Sequence, residues 1–260
     1  MLFQREARII QNKKLRADFY ACILSAPEIA RRAEPGQFIN VKVASGASLL
    51  LRRPFSINSV LGDKIKIIYQ VLGEGTKLLS EKKRGGYLDI IGPLGSGFEY
   101  KLRQPFLLVA GGMGVAPLTF LAQSAANIGN KKSNAEGTVL IGAKTASQLL
   151  CEKEFRKLGF DVKIATDDGS RGFKGRVTEL LKGVLSLGCR YTALYSCGPH
   201  PMLKEVAFIA KRHKIPAEVS LEEHMACGIG ACLGCVVATR FGLKRVCKEG
   251  PVFKAQDVIW

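Results

Sequence analysis

The sequence predicts a multidomain α and β protein: an antiparallel β-barrel of the six-stranded type, an α/β domain with a parallel sheet, and a small C-terminal domain organised by cysteines. Three observations predict this class. Short strand-like runs broken by glycine and proline fill residues 1–100, apolar runs alternate with helical patterns over residues 101–215, and four cysteines crowd into residues 216–260. We therefore expect three domains with these bounds.

The barrel prediction depends on two strand-like runs. Residues 37–43 alternate loosely between apolar and polar side chains, and residues 64–71 alternate more strictly, are rich in β-branched residues and follow a turn at 61–63. Residues 78–83 predict one short helix. Short strands with glycine and proline between them are typical of a small antiparallel barrel.

The pattern changes at residue 106, where a continuous apolar run at 106–110 leads through glycines into a helical pattern at 118–126. Apolar strands that alternate with helices predict a parallel sheet covered on both faces. Further strands are predicted at 138–143, 162–165 and 193–196, and helices at 147–158, 176–185 and 201–213.

Composition and charge exclude several classes of protein. With 47% hydrophobic and 23% charged residues, a chain of 260 residues can bury a core in more than one domain. The net charge of +17 is spread in short clusters, and no basic helix with interleaved aromatic residues is present, so we expect no nucleic-acid partner. Residues 1–10 carry charges before any apolar run, and the apolar stretch at 106–122 contains glycines and a proline. We expect no secretory signal, no membrane span and a cytoplasmic protein.

The cysteines of residues 227–235 have the spacing C-x4-C-x2-C, and a fourth cysteine follows at Cys247. This is the plant-type [2Fe–2S] arrangement. Gly228, Gly230 and Gly234 allow a tight loop that points backbone N–H groups at sulfur. A structural zinc site is the alternative, because four thiolates also bind zinc, but such sites prefer two C-x2-C pairs and only one is present. The candidate metal ligands are Cys227, Cys232, Cys235 and Cys247.

The remaining cysteines, Cys22, Cys151, Cys189 and Cys197, are scattered through the chain. Disulfides form dense frameworks in small secreted domains, so this distribution favours free buried thiols in a reducing compartment. The three histidines have no metal spacing among them, and the G-x-S-x-G motif of serine hydrolases is absent. We interpret His200, His213 and His224 as surface or packing residues.

Another candidate site lies on the barrel, at Arg53, Pro54, Phe55 and Ser56 and at residues 73–76. An arginine offers a forked charge to a phosphate, and the helix start at Gly75 and Thr76 offers free N–H groups and a hydroxyl to another. Phe55 can lie against a flat ring, and Ser56 can hydrogen-bond its polar edge. A plain turn and a plain helix cap are the alternatives for these two motifs.

Glycines at the end of an apolar strand predict a nucleotide site. Gly111, Gly112 and Gly114 join the run at 106–110 to the next helix, where glycine lets the backbone approach a pyrophosphate at the helix N-terminus. The spacing is not G-x-G-x-x-G, and a plain strand-to-helix turn is the alternative. Cys197, Gly198 and Pro199 repeat the pattern after a later strand, and Asp167 and Asp168 follow another strand, where they either meet a ribose or cap the turn.

Taken in order, these motifs resemble those of the ferredoxin–NADP reductase superfamily. They are RPFS at 53–56, GEGT at 73–76, GPLGSGF at 92–98, GGMGVAPL at 111–118 and CGPHPM at 197–202. Residues 222–232 and 250–253 resemble the electron-transfer subunits of bacterial class B dihydroorotate dehydrogenases. The resemblance covers essentially the whole chain.

That resemblance implies FAD on the barrel, NAD on the α/β domain and a [2Fe–2S] cluster near the interface with a partner subunit. The partner carries FMN and oxidises dihydroorotate to orotate in pyrimidine synthesis, in a heterotetramer of two plus two subunits. Electrons pass from FMN to the cluster, then to FAD, and leave as a hydride to NAD⁺. The base that oxidation of dihydroorotate requires is expected in the partner, so this chain is assigned no catalytic residue.

The resemblance also assigns contacts residue by residue. The residues themselves leave NAD and NADP as alternatives: Asp167 or Asp168 can repel a 2′-phosphate, which favours NAD, and Lys144 can attract one. Many superfamily members have Tyr where this chain has Phe55, so ring stacking is retained and a hydroxyl contact is lost. By this resemblance, FAD contacts fall on Arg53, Pro54, Phe55, Ser56, Tyr69, Gln70, Val71, Gly75 and Thr76, and cluster ligands on Cys227, Cys232, Cys235 and Cys247. The glycine motifs themselves predict the nucleotide contacts, at Gly111, Gly112, Gly114, Cys197, Gly198 and Pro199.

Two other functions fit parts of the sequence. A similar flavin and iron–sulfur subunit can serve a hydrogenase or a ferredoxin-dependent transhydrogenase. Only residues 222–234 and the identity of the partner distinguish such a subunit from that of a dihydroorotate dehydrogenase. A basic zinc-binding nucleic-acid module also uses four cysteines and a positive net charge. A flavin and a cluster give the protein colour, whereas a zinc module is colourless.

Overall fold

The computed structural model describes residues 2–44, 49–100, 105–128, 137–188 and 190–260. Cys189 and the predicted domain boundary at residue 101 lie outside these ranges. None of the helices in the described ranges is long and apolar enough to cross a membrane.

The first part of the chain is a barrel. Its strands are β1 (Phe3–Arg16), β2 (Phe19–Ser25), β3 (Phe38–Lys42), β4 (Arg53–Leu61), β5 (Lys64–Gln70) and β6 (Tyr87–Leu94), with helices α1 (Pro27–Ala30) and α2 (Glu74–Glu81). The six strands close antiparallel in the order β1-β2-β5-β4-β3-β6, which confirms the predicted barrel. Alternate residues point inward, and Ile39, Val41, Ile57 and Ile67 fill the interior. The predicted helix at 78–83 starts earlier, at Glu74, because the Thr76 hydroxyl caps the first turn.

The second part is a seven-stranded sheet. Its members are β7 (Phe106–Gly111), β8 (Gly137–Ala143), β9 (Asp161–Thr166), β10 (Phe173–Lys174), β11 (Ala193–Cys197), β12 (Ala217–Ser220) and β15 (Val252–Lys254); a separate hairpin is formed by β13 (Val236–Thr239) and β14 (Gly242–Arg245). The strand order is β10-β9-β8-β7-β11-β12-β15, and every neighbouring pair is parallel except β12 with β15. The predicted parallel sheet is confirmed, with one antiparallel strand added at its edge.

Helices cover both faces of the sheet. They are α3 (Val115–Ile128), α4 (Glu152–Lys157), α5 (Val177–Ser186) and α6 (His200–Arg212). Leu121 of α3 packs in one cluster with Leu108, and Leu181 of α5 packs in another with Leu107, so successive residues of β7 face opposite layers. The continuous apolar run of this strand is a consequence of burial on both faces.

One predicted helix is interrupted. Residues 147–158 form a 3₁₀ turn at Ala146–Gln148 and then α4, with Cys151 between them. Cys151 has a φ of +59°, a left-handed conformation that a right-handed helix cannot contain. The helical prediction was therefore wrong at its centre.

The third part leaves the sheet and returns to it. Both β12 and β15 belong to residues 216–260, the range predicted as a separate C-terminal domain, yet Ser220 pairs with Val252 inside the seven-stranded sheet. The cysteines lie in the excursion between these two strands. The predicted domain bounds stay a prediction, and strand pairing joins the last two parts more closely than the sequence pattern indicated.

Candidate functional site

A cavity of about 530 Å³ lies where the barrel, the sheet and the C-terminal excursion meet. Its size is within the usual range for sites that hold an organic cofactor. The barrel contributes Pro54, Phe55, Ser56, Tyr69, Gln70 and Thr76, the turn after β7 and the start of α3 contribute Met113 and Ala116, and the end of β12 and the excursion contribute Ser220, Leu221, Glu222, Glu223, His224, Met225 and Pro251. Six of the nine predicted FAD-contact residues thus line one cavity.

Aromatic side chains form the barrel wall of this cavity. The rings of Phe55 and Tyr69 are 5.7 Å apart between centroids, and Tyr20 stacks on Tyr69 at 5.6 Å. The Tyr69 hydroxyl donates to Asn12 Oδ1 at 3.0 Å, and burial raises the pKa of Tyr69 well above its usual range. The Tyr69 hydroxyl is therefore occupied by its hydrogen bond within the barrel, and only the ring of Tyr69 can contact a ligand in the cavity.

The three remaining predicted FAD contacts, Arg53, Val71 and Gly75, do not line the cavity, and Gly75 directly precedes Thr76, which does. The Arg53 guanidinium packs over the first turn of α2, where a Cβ on Gly75 would lie 2.9 Å from Arg53 Nε. Thr76 Oγ1 accepts hydrogen bonds from the N–H groups of Leu72 and Gly73 at 2.9 and 3.2 Å, so the hydroxyl acts as a helix cap. An arginine over a helix start is a chemically suitable place for a phosphate. Val71 follows β5, and its N–H donates to Asp18 O at 2.9 Å; it does not line the cavity.

The two predicted nucleotide motifs are in contact. Strands β7 and β11 are parallel neighbours with Ala110 opposite Cys197, so both motifs leave the same edge of the sheet. A Cβ on Gly114 would lie 2.8 Å from the Gly198 nitrogen and closer still to the Cys197 carbonyl. Only glycine permits this approach.

The two motifs also approach each other closely at Gly111 and Gly198. A Cβ on Gly111 would lie 3.0 Å from Pro199 Cδ, and one on Gly198 would lie 3.1 Å from Gly111 Cα. Gly112 lies in a 3₁₀ turn with a φ of +54°. Burial raises the pKa of the Cys197 thiol well above its usual range, and the nearby Glu222 carboxylate raises it further. The thiol is therefore neutral, and the structure brings all six predicted nucleotide residues together.

The turn after β9 is internally hydrogen-bonded. Asp168 Oδ1 accepts from the Ser170 hydroxyl at 2.6 Å and from its N–H at 2.9 Å, and these bonds lower the pKa of Asp168. Ser170 Oγ in turn accepts from the Ala146 N–H at 2.8 Å. Of the two roles predicted for Asp168, the structure shows the cap.

The cysteine loop surrounds one sulfur with backbone donors. The N–H groups of Ile229, Ala231 and Cys232 lie 3.5, 3.3 and 3.4 Å from Cys227 Sγ. Burial opposes ionisation of Cys227, but these donors prevail and lower its pKa to about 6. Gly228 and Gly230 have φ values of +69° and +85°, which give the loop this tight turn.

The cysteines approach one another as two pairs. The Cys232 N–H lies 3.4 Å from Cys227 Sγ, and the Cys247 N–H lies 3.4 Å from Cys235 Sγ; Cys247 also interacts with Cys227 through its charge. In the described part of the chain, no group of three His, Cys, Asp or Glu side chains is arranged around a single metal position. Two pairs of thiols fit a two-iron cluster, where each iron takes two protein ligands, better than they fit one tetrahedral zinc.

The segment before the cysteines was missed as part of the cavity. Glu222, Glu223, His224 and Met225 line it, although His224 was predicted to be a surface or packing residue. Phe38 also lines the cavity, and it packs in one cluster with Cys235 and Cys247. No local pattern marks these positions; residues 222–225 stood out only within a family-like motif.

Comparisons with known proteins agree with this geometry. Residues 222–259 match the family described as the iron–sulfur cluster binding domain of dihydroorotate dehydrogenase B, and residues 108–207 match the oxidoreductase NAD-binding domain. The dihydroorotate dehydrogenase B (NAD(+)) electron transfer subunit of Desulforamulus reducens is 42% identical, with 98% of each chain covered. The subunit of the same name from Caldanaerobacter subterraneus subsp. tengcongensis is 38% identical over the full length of both chains.

Solved structures show the same architecture. An NADH-dependent reduced ferredoxin-NADP oxidoreductase structure superposes with a TM-score of 0.87 at 29% identity, covering 98% of this chain and 90% of that one. A ferredoxin NADP⁺ reductase from Neisseria gonorrhoeae with bound FAD and NADP has a TM-score of 0.67 at 18% identity, covering 82% and 92%. Fold and site together define an oxidoreductase of the ferredoxin–NADP reductase type with an NAD-binding domain and an iron–sulfur domain. Full-length identity to the curated relatives then shows that this chain belongs to the family of dihydroorotate dehydrogenase B electron transfer subunits.

Proposed function

We propose that this chain passes electrons from the FMN of a dihydroorotate dehydrogenase catalytic subunit through a [2Fe–2S] cluster and FAD to NAD⁺, in pyrimidine biosynthesis. One observation carries the proposal. The segment Glu222–Met225 forms the wall of the cavity on the barrel and runs directly into Cys227, so the cluster site adjoins the flavin site. A flavin exchanges single electrons with a cluster and a hydride with nicotinamide, so it is the chemistry required between the two.

We assign each cofactor to residues of this chain. Phe55 and Tyr69 give the flavin ring an apolar wall, and Arg53 over the start of α2 holds a phosphate. The loop at Gly111–Gly114 and the turn at Cys197–Pro199 hold the nicotinamide nucleotide, with Met113 and Ala116 reaching the cavity. Cys227, Cys232, Cys235 and Cys247 ligate the cluster. Hydride transfer needs no general base, and we assign none here.

We further propose that the cluster faces the partner subunit. Cys232 is exposed, and beside it Ile229 and Leu233 expose 46% and 60% of their surface. Exposed apolar side chains next to a redox site are typical of a surface that a partner covers. A heterotetramer of two plus two subunits and a cytoplasmic location complete the proposal; the free thiols suit a reducing compartment.

A second candidate function is electron exchange with ferredoxin, as in a ferredoxin-dependent transhydrogenase. It is favoured by the superposition with the NADH-dependent reduced ferredoxin-NADP oxidoreductase. The match of residues 222–259 to the dihydroorotate dehydrogenase B domain favours the first candidate.

Reconstitution distinguishes these functions. The purified chain, loaded with FAD and iron–sulfur cluster, is mixed with an FMN-containing dihydroorotate dehydrogenase subunit, and NADH formation from dihydroorotate and NAD⁺ is followed. We expect NADH only when both subunits are present. NADH formation from reduced ferredoxin by this chain alone supports the second candidate, and a colourless preparation with stoichiometric zinc contradicts both.

A further inference from the structure

The outer face of β3 supports the cysteine loop. Ile39 and Val41 point into the barrel, so Phe38 and Asn40 point outward, toward the C-terminal excursion. Phe38 belongs to the same buried cluster as Cys235 and Cys247 and also lines the cavity. One barrel strand therefore touches the cavity and the cysteine loop at the same time.

Asn40 is the polar residue of this face. It is fully buried, and its Nδ2 donates to the carbonyl of Cys227 at 3.3 Å. Its Oδ1 is buried without a hydrogen-bond partner. The loop presses closely on this amide, since a Cβ on Gly228 would overlap Asn40 Nδ2, and Gly228 has a φ of +69°.

A half-satisfied buried amide costs stability compared with an apolar side chain of the same shape. What Asn40 provides in return is a directional contact with the first cysteine of the loop. Its cross-strand neighbour on β4 is Pro54, within the motif that lines the cavity. The amide thus joins the flavin side of the barrel to the peptide of a cluster ligand.

We propose that Asn40 is a positioning residue that fixes the Cys227 peptide on the barrel and thereby sets the placement of the cluster relative to the flavin. The inference rests on the proposed function, because it requires both cofactors. The same loop directs the N–H groups of Ile229 and Ala231 at Cys227 Sγ, so a displaced Cys227 peptide changes these contacts. Hydrogen bonds to sulfur and solvent exposure set the reduction potential of such clusters.

Asn58 provides a matched control. It is also an asparagine on the barrel and fully buried, and its Nδ2 donates to the carbonyl of Ala116 at 3.3 Å while its Oδ1 has no partner. It faces α3 and not the cysteine loop. Asn40→Leu and Asn58→Leu therefore each remove a buried amide that donates to a backbone carbonyl, and only the first removes the contact with Cys227; Asn58 Nδ2 also lies 3.8 Å from Cys151 Sγ.

The test uses the full chain loaded with FAD and cluster. An EPR-monitored redox titration gives the cluster potential and line shape, and stopped-flow absorbance gives the rate at which NADH reduces the cluster. We expect Asn40→Leu to shift the potential and to slow cluster reduction by about tenfold or more, as is typical for contacts that orient metal ligands. Asn58→Leu keeps the cluster potential and line shape at the wild-type values; its reduction rate is not used as a control, because Asn58 joins β4 to α3 at Ala116, which lines the cavity. Asn40→Ala, which removes the donor without adding a charge, shifts the potential and the rate in the direction of Asn40→Leu and serves if the leucine variant does not fold.

Two results overturn the inference: wild-type potential and rate in the Asn40 variants, or an equal change of the cluster potential in Asn58→Leu. Failure of the proposed function is separately visible. A wild-type protein that binds no FAD, or that gives no [2Fe–2S] EPR signal after reduction, contradicts the proposed function before any variant is compared. A wild type with both centres and unaffected Asn40 variants contradicts only the positioning role.

Discussion

Replacement of Gly114 by alanine tests whether the contact between β7 and β11 builds the nucleotide site. Gly114 does not have a positive φ, so an added methyl group causes no backbone strain of its own. Its Cβ would lie 2.8 Å from the Gly198 nitrogen and nearer still to the Cys197 carbonyl. Both are main-chain atoms at the end of a central parallel strand, and they cannot rotate away as a side chain can.

The expected cost follows from overpacking. An extra methyl group in a packed interior destabilises by about 1–3 kcal/mol. A chain of about this size loses about 2–4 °C of melting temperature per kcal/mol, so the midpoint falls by about 2–12 °C. To relieve the overlap, the loop at Gly111–Gly114 must move away from the turn at Cys197–Pro199, and this weakens nucleotide binding. A loss of about 1.4 kcal/mol of binding free energy raises the KM for NADH about tenfold.

Thermal unfolding and NADH-dependent reduction of a dye measure the two effects. Gly183→Ala is the control, because Gly183 lies in α5 with no atom within 4 Å of its Cβ position, and alanine there is expected to add about 0.5–1 kcal/mol of stability. We expect Gly114→Ala to melt lower with a higher KM, and Gly183→Ala to melt slightly higher with an unchanged KM. Wild-type stability and KM in Gly114→Ala would refute the assignment of this contact to the nucleotide site.

Three further changes test other parts of the site. Cys232→Ser is expected to abolish the EPR signal of the cluster while FAD content and NADH-dependent dye reduction persist; loss of FAD as well would mean that the cluster supports the barrel. Arg53→Ala is expected to weaken FAD binding about tenfold to a hundredfold, because a charged hydrogen bond contributes about 1.5–3 kcal/mol; an unchanged affinity in a fluorescence titration argues against a phosphate contact. Glu218→Gln tests a pH effect: burial raises the pKa of Glu218 from 4.5 to about 7 against a hydrogen bond from the Glu99 N–H. The folded protein binds the Glu218 proton more tightly than the unfolded chain does, and this stabilises the folded state. That stabilisation is complete below pH 4.5 and is lost as the pH rises through 7. Melting scans from pH 6 to 8 should fall more steeply for the wild type than for Glu218→Gln, and parallel curves contradict the shift.

The elements predicted well are those whose burial is visible in the local sequence. The run at 64–71 became β5 and the run at 106–110 became β7, because a strand half-buried in a barrel alternates and a strand buried on both faces is continuously apolar. The helix predicted at 201–213 became α6 at His200–Arg212, where Pro199 and Pro201 mark its start.

The failures have physical causes outside any local window. The helix at 147–158 is divided because Cys151 adopts a left-handed conformation that its side chain does not announce. The exposed lysines of β1 give its second half little apolar alternation, so this strand of 14 residues was not predicted individually. The cavity wall at Glu222–Met225 exists only because the chain crosses from the sheet to the barrel, and Phe38 meets it from far away in sequence.

The cysteine loop is attached both to the sheet and to the barrel, and these attachments determine which mutations impair the proposed electron transfer. Its ends are fixed to each other by the pairing of Ser220 with Val252 at the edge of the sheet. Its middle is fixed to the barrel by Asn40 and by Phe38. Because the loop is attached both to the sheet and to the barrel, it moves whenever the barrel shifts relative to the sheet. This holds even if the flavin site and the nucleotide site keep their own geometry. Mutations at the contact between α3 and β4, such as loss of the Gln123 side chain that bonds both the N–H and the carbonyl of Val60, are therefore expected to change cluster reduction before they change FAD or NADH affinity.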